Sequence, residues 1–295
     1  MNLDIEKDIQ KTDGGHSLAD RWILTRLAHV SEEITQALED YHFNEAADRC
    51  YQFVWHEFCD WYLEMAKQSL YGKDEVLKKA TKTVVLKALM AVLKLLHPFM
   101  PFVTEEIWQK LPNTRASIMT AEFPKASDFM KDEKALTEMD LLVGIITGIR
   151  NIRGEMNIPP SKKISVLIDA GDNEEADILH RNLLHIRNLA WVDEVSIASG
   201  ANKPEASATA VFGHNQVHVL LKGLLDFEEE RKRLRKEIKK IEKDIEGSTK
   251  KLSNKGFLEK APAEIIEKVR EKVEGLSFNL KNLNRNLSFF ETIND

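Results

Sequence analysis

The last seventy residues constrain the fold of this 295-residue chain more than any other segment. Apolar residues recur there at alternating steps of three and four, first between Phe227 and Leu252 and then between Ile266 and Phe290. This period of about 3.5 residues keeps an apolar seam on one side of a helix, facing a partner helix. The pattern therefore predicts two long helices of about 25 residues each, roughly 38 Å at 1.5 Å per residue, that pack against each other.

The segment between the two periodic stretches predicts a tight connection. It contains Asn254 and Gly256, whose residue types adopt the left-handed conformation that ends many helices. Pro262 follows, and proline suits the first turn of a new helix. We therefore expect an antiparallel coiled-coil hairpin.

The first helix of this hairpin is strongly basic. Residues 231–255 contain 11 basic and 4 acidic side chains, a net charge of +7, whereas the whole chain has a net charge of −6. Binding of phosphate groups depends on such local patches rather than on the total charge. Charged flanks also keep many coiled coils soluble, so charge alone leaves RNA binding and solubility equally open.

The first half of the chain has the periodicity of a helical bundle. A leader, 1–16, precedes it, and Ser17, Asn44 and Thr104 are residue types that cap helices. The segment His97–Phe102 is rich in proline and apolar residues, which predicts a rigid, buried connector. The predicted helices cover residues 17–38, 44–65, 74–96, 104–111 and 131–153.

The periodicity changes after Pro160. Four short stretches rich in β-branched residues predict strands at 164–168, 192–198, 208–212 and 216–221, with one helix at 174–189 between the first two. The predicted fold is therefore mainly α. Its domains are a helical bundle (17–155), a small α+β module (156–223) and a coiled-coil arm (224–295).

No set of side chains has the spacing of a catalytic or metal site. His214 and His218 are four residues apart, but on a strand this spacing separates them by roughly 13 Å. Cys50 and Cys59 are nine residues apart in one predicted helix, about 13 Å, which is too far for a disulfide. Free thiols, and the lack of any apolar stretch near the ~18 residues of a membrane helix, predict a cytoplasmic protein.

Two places combine aromatic and basic side chains outside the regular inward faces of the helices. They are Arg21–Trp22, at the start of the first helix, and His42–Phe43, in the loop after it. Unpaired RNA bases stack on exposed aromatic rings beside a cation. These residues are candidates for such contacts if they are exposed.

Several segments resemble a known family. Leu18–Leu24, Phe43–Ala47, Cys59–Glu64 and Leu96–Trp108 are similar to the helical anticodon-binding domain of class I aminoacyl-tRNA synthetases for aliphatic amino acids. Among these enzymes, Ile149–Pro160, Gly223–Asp226 and Leu252–Pro262 resemble the bacterial valyl-tRNA synthetases, including their coiled-coil tRNA-binding arm. The resemblance covers residues 17–295.

The resemblance implies a partner, tRNA for valine. The helical domain is expected to bind the anticodon loop through Arg21, Trp22, His42 and Phe43. The arm is expected to bind the tRNA elbow, and the basic residues that we predict to contact it are Arg231, Arg235, Lys239, Lys250, Lys251 and Lys255.

The sequence contains neither the His-Ile-Gly-His-like motif nor the Lys-Met-Ser-Lys-Ser loop of the catalytic domain. ATP and valine are therefore expected to bind a domain outside this chain, which looks like the C-terminal third of an ATP-dependent ligase and is expected to hold no cofactor or metal itself. We expect a monomer. Two alternatives stay open, a coiled-coil module for protein interactions and a free-standing RNA-binding paralogue.

Overall fold

A computed structural model describes residues 15–112, 114, 116–224 and 226–292, without the side chains of Lys255, Glu259 and Lys260. All but the last two residues of the predicted leader lie outside these ranges. The chain forms two compact units, one that ends at Gly144 and one that begins at Ile145. The predicted mainly-α class is confirmed, while the predicted domain boundaries stay predictions.

The first unit is helical. Its first helix, α1 (Leu18–Glu39), begins with a capping box, in which the Ser17 hydroxyl accepts from the Asp20 amide and the Asp20 carboxylate accepts from the Ser17 amide. Its last helix, α6 (Glu133–Glu155), contains the boundary between the two units. The helices are α1 (Leu18–Glu39), α2 (Phe43–Tyr51), a π-helix (Gln52–Tyr62), α3 (Leu63–Leu70), α4 (Glu75–Leu96), α5 (Pro101–Trp108) and α6 (Glu133–Glu155), with 3₁₀ turns at Ile118–Thr120 and Ala126–Asp128.

A buried carboxylate connects three of these helices. Asp20 on α1 accepts hydrogen bonds of 2.8 Å from the Tyr62 hydroxyl at the end of the π-helix and from the Thr81 hydroxyl on α4. All three residues are fully buried, as are the apolar side chains of Ile23 and Leu27 on α1. Because every oxygen of the carboxylate has a donor, the charge can be held inside the bundle.

The segment predicted as a buried connector is instead exposed. Met100 is exposed, and Phe102 exposes 91% of its surface. Pro101 takes the first position of α5. Only Thr104 and Trp108 of α5 are buried, because residues four apart share one helix face and the others turn outward.

Two predicted helix caps are wrong. Thr104 lies inside α5, where its hydroxyl donates to the Met100 carbonyl at 2.8 Å. Helix α2 begins at Phe43, so Asn44 lies in its first turn, and the capping residue His42 makes no side-chain cap bond. In both cases the chain enters the helix earlier than the polar residue suggests.

The second unit contains a four-stranded sheet in the order β2-β1-β4-β3. Strand β1 pairs parallel with β2 and antiparallel with β4, and β4 pairs antiparallel with β3. The four predicted strands are confirmed, but the single predicted helix is broken at Asn182 into two. The elements are β1 (Ile164–Ala170), α7 (Asn173–Arg181), α8 (Leu183–Ala190), β2 (Val192–Ser199), β3 (Ser207–Phe212) and β4 (Asn215–Leu220).

The end of the second unit is the predicted hairpin, called the arm below. Helix α9 (Phe227–Leu252) packs on α11 (Ala263–Thr292), and the short helix α10 (Lys255–Lys260) lies between them. The rings of Phe227 and Phe290 meet at 5.8 Å between centroids, so the start of α9 lies against the end of α11. The two helices are therefore antiparallel, as the heptads predict.

The connection of the arm differs from its prediction. Asn254 has a φ of −82°, not a left-handed one, and its side chain caps α10 by accepting from the Phe257 amide. Gly256 is helical, inside α10. A third short helix, rather than a left-handed residue, therefore turns the chain. Among the helices of the described ranges, none is both long and apolar enough to cross a membrane.

Candidate nucleic-acid interface

One face of the arm carries a lysine row, defined as Lys232, Lys236, Lys239 and Lys243 of α9. Their spacing of 4-3-4 places them on one face of the helix, and all four are exposed. Within the part of the chain that the structure describes, no carboxylate forms an ion pair with any of the four amines. The row spans about 16 Å along the helix at 1.5 Å per residue. It is a linear array of amines available to a polyanion.

Three of the six predicted elbow residues are engaged within the arm itself. Only 14% of the Arg231 side chain is exposed, and its guanidinium donates to the Phe290 carbonyl at 2.7 Å. Arg235 is exposed but forms an ion pair of 2.7 Å with Glu291. Lys250 pairs with Glu246 at 2.5 Å.

The other three differ among themselves. Lys239 belongs to the lysine row, and Lys251 is exposed near the end of α9. The side chain of Lys255 lies outside the described part of the structure. The sequence prediction did not include Lys232, Lys236 and Lys243, although their 4-3-4 spacing together with Lys239, offset from the apolar seam, could have identified the row. The roles of the six predicted residues stay predictions.

The four predicted anticodon residues do not form one cluster. Arg21 and Trp22 lie at the start of α1, whereas His42 and Phe43 follow its end. The 17 residues of α1 that follow Trp22, 23–39, extend about 26 Å and separate the two pairs. Arg21 pairs with Asp132 at 2.5 Å and lies 3.6 Å from Glu138.

Exposure further separates the candidates. Trp22 is buried, so its ring offers little face for stacking. His42 and Phe43 are exposed, and the Phe43 ring meets the Tyr41 ring edge-on at 6.1 Å with an angle of 87°. The His42 Nδ1 atom lies 3.7 Å from the Oε2 atom of Glu45. The roles of all four residues stay predictions.

An aromatic pair that the sequence did not predict lies where α2 ends and the π-helix begins. The rings of Tyr51 and Trp55 are nearly parallel, with an interplanar angle of 6° and 6.4 Å between centroids. Tyr51 and Trp55 expose 55% and 56% of their surfaces. The 3.6-residue period of the predicted helix 44–65 places Tyr51 on its apolar, inward face, together with Cys50, Val54 and Phe58, and for Tyr51 this prediction is wrong. The π-helix has a wider turn than an α-helix, so the 3.6-residue period no longer assigns faces there, and Phe53 is buried instead.

A cavity of about 510 Å³ in the first unit adjoins this pair through His56. The His56 ring lines the cavity and meets the Tyr51 ring edge-on at 5.8 Å. Arg26 and Glu57, also in the lining, form two hydrogen bonds of 2.6 and 2.8 Å. The hydrogen bond that Arg26 donates to the Glu57 carboxylate raises the pKa of Arg26 despite its burial. Trp22 and Trp61 line the same cavity.

The comparisons with known proteins agree with this arrangement. Residues 20–168, half of the chain, match the family described as the anticodon-binding domain of tRNA ligase. The chain therefore belongs to this family of tRNA-ligase domains. Residues 226–290 match the family described as the valyl tRNA synthetase tRNA binding arm, and this match coincides with the arm of the structure. The resemblance predicted from the sequence is confirmed.

Three proteins with similar sequences are all called valine–tRNA ligase. The chain is 47% identical over 259 residues to the valine–tRNA ligase of Syntrophotalea carbinolica, covering 87% of the chain and 29% of the relative. It is 45% identical over 259 residues to that of Geobacter sulfurreducens, covering 87% and 29%. It is 41% identical over 273 residues to that of Bacillus subtilis, covering 92% and 31%. The chain thus spans about 30% of the length of these relatives.

Proposed function

We propose that this chain is the tRNA-binding part of a valine–tRNA ligase, and that it holds tRNA for valine. The first unit binds the anticodon loop, and the arm binds the elbow. ATP and valine bind elsewhere in the ligase, and this chain itself takes no cofactor. It acts in the cytoplasm and as a monomer, because the seam of the arm is covered by its own two helices.

The observation that carries this proposal is the lysine row on α9. An RNA corner is recognised mainly through its shape and its phosphates rather than through base edges. Amines fixed along one face of a rigid helix can each neutralise a phosphate and release a condensed counterion. The match of this segment to a tRNA-binding arm supports the same partner.

The first experiment measures affinity for valine tRNA and for leucine tRNA by electrophoretic mobility shift over a series of salt concentrations. Binding of valine tRNA should be the tighter of the two and should weaken steeply as salt rises. Equal affinity for the two tRNAs would contradict specificity for valine. A lack of any shift at low salt would overturn tRNA binding by this chain and favour a protein-interaction role for the arm.

A matched pair of double variants tests the lysine row. Lys236→Gln with Lys239→Gln removes two charges from α9, and Lys272→Gln with Lys281→Gln removes two exposed charges from α11. The first variant should reduce the slope of log K against log salt by about 1.5, at roughly 0.7–0.9 for each lost phosphate contact. The second should leave the slope unchanged. An equal reduction in both would show that the arm attracts RNA by total charge only.

A further inference from the structure

The parallel rings of Tyr51 and Trp55 form an exposed aromatic surface without an assigned role. Single exposed apolar side chains are ordinary, whereas exposed apolar groups that lie together are more typical of interaction sites. The neighbouring pair of Tyr41 and Phe43 is also exposed, but its rings stand at 87° and share no common face. Only the Tyr51–Trp55 pair therefore presents two faces in almost the same orientation, at 6°.

The setting of the pair favours a planar, polar ligand over another protein surface. His56 stands edge-on to Tyr51, and its Nδ1 lies 3.3 Å from Asp60. His56 also lines the cavity of about 510 Å³, together with the polar residues Arg26 and Glu57. Unpaired bases are held by this combination of an aromatic face for stacking and nearby polar groups for their hydrogen-bonding edges.

We propose that Tyr51 and Trp55 are a stacking platform for an unpaired nucleobase of the bound RNA loop, with His56 and the cavity beside it accepting the polar edge of that base or of its neighbour. This inference rests on the proposed function, because it assumes that a single-stranded tRNA loop lies against the first unit. It assigns base contacts to two aromatic residues that are not among the predicted anticodon-binding residues.

The test uses the whole chain and an anticodon stem-loop of valine tRNA that contains 2-aminopurine in the loop. The fluorescence of this base analogue is quenched when it stacks. Trp55→Ala should weaken binding about 5- to 150-fold, the range found for removing one base–aromatic stack, and should lose the quenching. Trp55→Phe, which keeps an aromatic face, should retain most of both.

Two controls belong to the same unit. Tyr71→Ala removes a ring that is at least as exposed, at 84%, and should leave affinity and quenching unchanged. Phe43→Ala tests the other exposed pair, Tyr41 and Phe43, called the loop pair, and should leave affinity and quenching unchanged. Because Trp55 is on the surface, the thermal unfolding temperature of Trp55→Ala should match that of the wild type.

The outcomes separate this inference from the proposed function. If the wild type binds intact valine tRNA but Trp55→Ala binds the stem-loop as tightly as the wild type, the stacking platform is wrong and tRNA binding stands. If only Phe43→Ala weakens binding, the base lies on the loop pair instead, which also overturns the inference. If the wild type binds neither RNA, the proposed function itself fails.

Discussion

The guanidinium of Arg231 donates a hydrogen bond of 2.7 Å to the main-chain carbonyl of Phe290, which lies 59 residues further along the chain. This bond joins the start of α9 to the end of α11. A second bond of 2.9 Å joins Arg231 to Glu228 within α9. Arg231 is therefore a polar residue in the register of the apolar seam, and its side chain joins the two helices where α9 begins and α11 ends.

We predict that Arg231→Met destabilises the arm without changing its electrostatic contact with RNA. The Phe290 carbonyl would lose its donor, at a cost of about 1–2 kcal/mol. Urea unfolding followed by circular dichroism measures the loss, and the salt dependence of tRNA binding should keep its slope. Arg235→Met is the control, since an exposed ion pair contributes at most about 1 kcal/mol. A reduced slope for Arg231→Met would assign the residue to RNA contact instead.

The buried carboxylate of Asp20 leads to a second prediction. Burial, together with the adjacent Asp20 carboxylate, raises the pKa of the Tyr62 hydroxyl far above its ordinary value, so it stays a donor. Tyr62→Phe removes this donor from a buried charge and should lower the free energy of unfolding by about 1–3 kcal/mol. Tyr71→Phe, at an exposed ring, should change it by less than about 0.5 kcal/mol. Equal effects would mean that Asp20 is not stabilised by Tyr62.

The ion pair of Arg21 predicts a dependence on pH. Burial raises the pKa of Asp132, but hydrogen bonds from Arg21 and from the amides of Ala135 and Lys134 outweigh it, so the pKa lies below its ordinary value of 3.8. A carboxyl group with a lowered folded pKa stabilises the fold above its unfolded pKa, and this stabilisation is lost as pH falls through the folded value.

Asp132→Asn should therefore be less stable than the wild type at neutral pH, and the difference should shrink as the pH falls below about 4. Thermal unfolding at a series of pH values measures it. Asp48→Asn, at an exposed carboxylate, should follow the wild type throughout. A constant difference for Asp132→Asn across the acid range would show that its effect is not electrostatic.

Arg153 gives the fourth prediction. Its buried guanidinium donates to four main-chain carbonyls around the start of the sheet, at 2.6–3.4 Å, and burial lowers its pKa. These carbonyls belong to Pro159, Pro160, Lys162 and Trp191. The planar fork of arginine can reach several acceptors at once, whereas a lysine amine is a single point.

Arg153→Lys should therefore destabilise the second unit by about 1–3 kcal/mol. Hydrogen exchange should show faster exchange in the amides of β1 and β2. Arg270→Lys, at an exposed ion pair on α11, is the matched control and should leave exchange in the sheet unchanged. Unchanged protection of the β1 amides from exchange in Arg153→Lys would mean that water molecules replace the arginine as hydrogen-bond donors to these carbonyls.

Local patterns predicted much of the fold. The heptads from Phe227 to Phe290 predicted the arm, because the period of a helix decides which residues share a face whatever the rest of the chain does. Runs of β-branched residues predicted the four strands in the same way. The predicted cap at Thr104 is wrong because a hydroxyl inside a helix can donate to a carbonyl one turn earlier. The predicted cap at Asn44 is wrong because the helix already begins at Phe43.

The candidate interface was predictable only in part. Net charge located the basic helix α9, but it could not tell Lys239, which is unpaired among the described residues, from Arg235, which meets Glu291. That difference depends on a carboxylate 56 residues away. Likewise, the 3.6-residue period that places Tyr51 inward does not continue beyond it, because a π-helix with a wider turn begins at Gln52, and Tyr51 is exposed. The sequence alone therefore determined the helices, strands and family of this protein, since these follow from neighbouring residues and motifs. Only the tertiary structure decided which charges and rings face solvent, because their partners come from distant parts of the chain.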